Sequence, residues 1–245
     1  MRRFDQKRKA TEFRRCRKQA PSRRAGLLAC AGLYFILLLG PSAALGCGPR
    51  MITKEASPEE IRGFFETKKM RVLTFLGYSA AEYEDKELML KQAELILDQF
   101  DPANTIVNIG ATAEGIGAVY ESAKGKGFLT AGIVSTQARD SNAALAPCVD
   151  VVFYVRDATW GGFLPGTGTL SPTSKAIVEN SDVMVAIGGG EVARDELSSA
   201  KKFGKQVRFF PADMNHQIAR EKALRKNREA PSEFGGAAAS AFLAD

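Results

Sequence analysis

Short apolar runs, each closed by turn residues and followed by a stretch with helical spacing, recur along the body of this 245-residue chain. Met70–Ser79 (MRVLTFLGYS) reads as a buried strand running into a turn. A helical stretch follows, with Leu88, Leu90, Ala93, Ile96 and Leu97 as its expected inner face. Asn104–Gly110, FLTAGIVS, Val149–Val155, DVMVAIGGG and KQVRFFPAD are the next strands, six in all, with helices between most of them. Strands buried on both faces read as continuous apolar runs, so the order predicts an α/β class. The expected architecture is a Rossmann-like, mostly parallel sheet with helices on both faces. In such sheets ligands bind beyond the carboxyl ends of the strands.

The net charge of +6 hints at nucleic acid, but its distribution removes the hint. Residues 1–24 carry eleven Lys or Arg and two acids, so they hold +9 and leave −3 for the rest. A mildly acidic body argues against a nucleic-acid partner. The four cysteines are Cys16, Cys30, Cys47 and Cys148, and only the last falls inside the expected fold. Neither a disulfide framework nor a cysteine metal site is expected. The single histidine, His216, excludes a multi-histidine metal site, and no metal or cofactor is expected.

Residues 25–46 (AGLLACAGLYFILLLGPSAALG) follow the basic run and carry no charge. A positive segment, an apolar segment and a small-residue end form the pattern of a secretory signal or membrane anchor. Ala44–Cys47 (ALGC) is similar to a bacterial lipobox, with Cys47 as the acylated residue. The expected location is thus membrane-associated or exported at a bacterial envelope, and cytoplasmic if translation starts at Met51. The expected divisions are 1–47 for the basic segment and signal or anchor, 48–69 for a lead-in helix and linker, 70–228 for the Rossmann-like domain and 229–245 for a flexible tail.

Three strand exits are rich in turn residues: LGYSAAE, NIGATAEG and IGGGEVARDE. Gly77, Gly110, Gly115, Gly189 and Gly190 either allow close approach of a ligand or serve helix–sheet packing. Helix starts beyond such exits present unpaired N–H groups that favour phosphate, and Ser79 and Thr112 add hydroxyls. Glu191, Asp195 and Glu196 suit a helix start as plain charges, or one could hold ribose hydroxyls or polarise water. Arg194 could contact phosphate or pair with an acid. Arg156–Ser174 reads as a long Gly-rich loop, on which Trp160 either stacks on a base or anchors the loop.

Asn108–Val134 and Gly188–Glu196 (GGGEVARDE) together resemble the paired glycine motifs of the lysine-decarboxylase-like, or LOG-type, phosphoribohydrolase family. The wider superfamily, SLOG, includes DprA-type domains. Gly189 and Gly190 match the paired glycines of the family's PGGxGTxxE motif, and Glu196 matches its terminal Glu. Gly188 stands for the family's Pro, Val192-Ala193 for its Gly-Thr, and its Arg-Lys pair is absent, with Lys175 alone in TSKAIVENS. The resemblance implies a nucleotide or nucleotide-derived ligand with glycines lining its phosphate. It also implies a homodimer and N-glycosidic hydrolysis with Glu196 as the catalytic carboxyl. A non-catalytic ligand-sensing or scaffold protein at the membrane and a DprA-like DNA-handling protein stand beside that reading.

Overall fold

The structure is a computed structural model and describes Cys47 and residues 51–242. Seven strands form one sheet: β1 (Ile52–Glu55), β2 (Arg71–Gly77), β3 (Thr105–Ile109), β4 (Leu129–Ser135), β5 (Val151–Val155), β6 (Val183–Ile187) and β7 (Gln206–Phe210). Their spatial order is β1-β5-β4-β3-β2-β6-β7, and every pairing is parallel. This is the α/β Rossmann-like architecture that both the alternation of elements and the family resemblance imply.

Alternate residues along the central strands feed two cores, as the two-residue period requires. On one face Leu73, Phe75, Val107 and Ile109 pack with α2 (Lys86–Leu97) and α3 (Val119–Gly125). On the other Val72, Leu76, Ile106 and Met184 pack with α1 (Pro58–Lys68), α5 (Pro172–Glu179) and α6 (Glu191–Lys202). A short α4 (Gln137–Asp140) follows β4, and α7 (His216–Arg225) and α8 (Gly236–Phe242) complete the chain.

Several expectations are corrected. The sequence reading has six strands; the seventh is β1, within the expected linker. Its four residues, ITKE, are all exposed, so no apolar run betrays it. It is built by backbone bonds alone, with the Ile52 N–H donating to Asp150 at 2.9 Å and Ala56 to Tyr154 at 3.0 Å. The expected flexible tail contains α8, whose Ala238 is fully buried. On α2 the buried face is Met89, Ala93, Ile96 and Leu97, while Leu88 is exposed and Leu90 half-buried. Asp85 caps the helix through the Leu88 N–H at 2.8 Å, which fixes the start and hence which side turns inward.

Cys47 and Cys148 form a disulfide, their Cα atoms 4.6 Å apart. The pair joins cysteines 101 residues apart in sequence, each shortly before one of the paired strands β1 and β5. The expectation of no internal disulfide is corrected, and a paired Cys47 thiol is not free for acylation. The leader of residues 1–46 lies outside the described residues. Among those described, no helix is long and apolar enough to cross a membrane.

Tyr120 joins the α3 layer to the sheet. Fully buried, its hydroxyl accepts from the Ile109 N–H at 3.0 Å and donates to the Ala131 carbonyl at 2.7 Å. Replacing it with Phe strands two buried backbone groups. Tyr120→Phe is expected to lose about 1–3 kcal/mol of stability in urea denaturation, and an unchanged midpoint would refute this role.

Candidate functional site

The strand order reverses at one place. From β2 the chain adds β3, β4 and β5 on one side, then returns to lay β6 against β2's other edge. A crevice opens at such a switch point because the two connections leave in opposite directions. The neighbours β3-β2-β6 bring the three glycine-rich exits to one sheet edge.

The β2 and β3 exits are joined by a Ser79–Thr112 hydroxyl bond of 2.8 Å and by the Ile116 N–H donating to the Tyr78 carbonyl at 2.7 Å. Both hydroxyl residues are half-buried. Between Gly110 and Thr112, Ala111 is buried with φ +62°. A left-handed alanine costs about 1–2 kcal/mol, and such strain gathers at functional sites. Nothing in its side-chain type announces it.

The glycines separate into two groups. Gly77 is a packing residue, because a Cβ there would overlap the Tyr83 hydroxyl. That hydroxyl accepts from the Tyr78 N–H at 3.1 Å and donates to the Ile187 carbonyl at 2.7 Å, tying β2 to β6. Gly115 is likewise required, since a Cβ would meet the Tyr78 and Ser79 carbonyls. Gly189 has φ +131°, and its Cβ would crowd Ala193. Gly110 and Gly190 face open space, with no atom within 4 Å of an added Cβ. Of these five exit glycines, Gly110 and Gly190 are the two that leave room for a ligand.

Gly190 is the N-cap of α6 and supplies no side-chain bond. The other helices of eight residues or more are capped: α1 by Ser57, α2 by Asp85, α5 by Ser171 and α7 by Asn215. Among the described residues the N–H groups of Glu191, Val192 and Ala193 therefore find no acceptor, which leaves the positive end of α6 facing the crevice.

The polar residues of α6 divide differently from the sequence reading. Glu191 is exposed at the first turn. Arg194 is not free to hold phosphate: its Nε and Nη2 donate to Asp195 Oδ1 at 2.9 and 2.8 Å. Asp195 also accepts from the Phe163 N–H at 2.9 Å, fastening the Gly-rich loop to α6. Glu196 is 2% exposed and turned toward α5, where Oε1 accepts from the Ser174 hydroxyl at 2.5 Å. Gly161 covers it, since a Cβ there would lie 3.7 Å from Oε1. Burial, aided by the neighbouring Asp195 carboxylate and opposed by the Ser174 bond, pushes the Glu196 carboxyl up to about 8. Trp160 is 52% exposed on the same loop, and the Gly161 and Gly162 that follow it lie beside Val192 in the first turn of α6.

Sequence reasoning missed Tyr78. It is buried, and its hydroxyl donates to the carbonyls of Ala212 at 3.1 Å and Phe234 at 3.2 Å. Burial raises its pKa and so keeps it a donor. A groove of about 420 Å³ opens elsewhere, beside Glu55, Ser57, Glu60 and Arg156 at the β1 and β5 exits. Its polar groups are already engaged, Glu55 with Arg156 and Glu60 with Ser57, so the crevice is the better candidate. No cluster of metal-ligating side chains occurs among the described residues.

No protein-family model matches the chain, and no curated protein matches it. Several solved structures are similar to part of it. The Moco carrier protein of Chlamydomonas reinhardtii is 17% identical, with a TM-score of 0.43 over 64% of this chain and 85% of its own. The molybdenum cofactor binding protein of Rippkaea orientalis is 18% identical, with a TM-score of 0.42 over 68% and 91%. The protein TM1055 is 20% identical, with a TM-score of 0.41 over 56% and 72%.

Because the folded chain holds the Glu196 proton more tightly than the unfolded chain, whose value is near 4.5, folding takes up a proton between these values. The stabilising contribution is full below about pH 4.5 and is lost as pH rises toward 8. Wild-type stability minus that of Glu196→Gln is expected to fall across this range, with a slope of at most about 1.4 kcal/mol per pH unit. Denaturation midpoints at several pH values measure it, and a flat difference would contradict the buried, protonated carboxyl.

Proposed function

We propose that the crevice between the β2 and β6 exits binds a nucleotide or nucleotide-derived small molecule, with a phosphate at the start of α6. The observation that carries this reading is the uncapped α6 N-terminus beside the open Gly190. The Ser79–Thr112 pair lies across the crevice as a source of hydroxyl contacts. Trp160, exposed on the loop whose Gly161 and Gly162 lie beside Val192, is the candidate to stack on a base.

N-glycosidic hydrolysis is the finer reading, with Glu196 as its carboxyl. A protonated carboxyl near a ribosyl leaving group is chemically suited to general acid work. Here Glu196 is covered by Gly161 and the nearby Arg194 is engaged with Asp195, so catalysis requires the 157–163 segment to lift. Binding is therefore the function we infer. Turnover is assayed with nucleoside monophosphates, where Glu196→Gln abolishes hydrolysis and spares binding if the finer reading holds.

We also propose that the body is exported or held at the membrane by its N-terminus. The Cys47–Cys148 pair supports this placement, since disulfides persist in oxidising compartments. It favours a cleaved signal or anchor over acylation at Cys47.

Gly190→Asp separates ligand binding from packing. A carboxylate at that position would cap α6 without a clash. It is expected to raise stability by on the order of a few tenths of a kcal/mol. The same charge would repel phosphate and abolish any thermal shift by nucleoside mono- and diphosphates. The panel also includes the molybdenum cofactor, for which two of the structural neighbours are named. A ligand that stabilises wild type and Gly190→Asp equally would move the site away from α6.

A further inference from the structure

The crevice carries a cover made from the chain's own end. Residues 234–242 run across the β6 exit and return onto the α6 layer. The Ala238 N–H donates to the Gly189 carbonyl at 3.0 Å. The Phe234 carbonyl accepts from the Tyr78 hydroxyl at 3.2 Å and from the Met214 N–H at 2.9 Å. The two exits that flank the switch point are therefore both held by one short segment.

Its composition suits a removable cover. GGAAAS brings no large side chain into the crevice. Gly236 has φ +72°, and a Cβ there would meet the Gly189 carbonyl and the Tyr78 hydroxyl, so only glycine seats the segment this closely. Its ends are pinned by aromatic contacts. Phe234 stacks on His216 with centroids 3.9 Å apart, and Phe242 on Phe209 at 6.0 Å. Between the pins, burial rests on Ala238. Fully burying a side chain much larger than alanine is worth about 1.5–3 kcal/mol, so the middle of the segment opens more readily than the core.

We propose that residues 234–242 form a strap that competes with the ligand for the β2–β6 crevice. This rests on the ligand-binding reading above. A nucleotide phosphate at Gly190 and α6 crowds the strap's seat on Gly189. Ligand binding then unseats the strap, and losing the strap strengthens binding. The linkage must be reciprocal.

The test uses the full-length chain, Gly236→Val and a chain ending at Glu233, each confirmed as folded by its melting transition. The probes are AMP and inorganic phosphate, with affinity read by calorimetry and strap docking by hydrogen exchange in 235–242. Gly236→Val is expected to speed exchange in the strap, and both variants to bind AMP at least threefold more tightly. Saturating AMP is expected to speed exchange of the wild-type strap. Equal affinity in all three chains, or slower strap exchange with AMP bound, would overturn the strap while leaving the binding site standing. No binding of either probe to any chain, including the strap-free one, would overturn both.

Discussion

Laying β6 beside β2 is the constraint on which the rest depends. A parallel sheet needs a crossover for every strand, and reversing the direction of addition opens one crevice at its carboxyl edge. Here the reversal places the exits of β3, β2 and β6 side by side. Tyr83 fixes that junction, bonding to Tyr78 on one strand exit and Ile187 on the other from the space that Gly77 leaves. The crevice is thus a product of topology held by a buried hydroxyl.

The sheet was legible because its central strands are buried on both sides and so appear as unbroken apolar runs. β2 through β6 satisfy this; β1 does not. ITKE is an edge strand with exposed side chains, and its place rests on backbone pairing that composition does not encode. The C-terminal helix was hidden for a related reason. GAAASAF has no amphipathic pattern, and its burial rests on the single small side chain of Ala238. The Cys47–Cys148 pair was invisible because the strand that returns residue 47 to the sheet was itself unseen.

At the site, sequence located the three exits but could not sort their glycines. Gly77, Gly115 and Gly189 are excluded from bearing side chains by Tyr83, by two carbonyls and by Ala193, contacts that depend on the folded path of each exit. Gly110 and Gly190 are unconstrained by packing. Glu191, Arg194 and Glu196 look alike as charges near a helix start. Helical geometry separates them: Glu191 faces solvent, Arg194 is paired with Asp195, and Glu196 points into the α5–α6 seam. A neutral buried carboxyl can remain there because Ser174 donates to it and no charge need be desolvated.

The most direct measurement is a backbone-amide NMR titration of the folded protein with AMP. Shifts centred on residues 77–79, 110–112 and 188–193 are predicted, with the largest at the unpaired N–H groups that begin α6 and further shifts in the 234–242 strap. Shifts centred on Glu55–Glu60, or none at saturating AMP, would contradict a nucleotide site at the β2–β6 crevice.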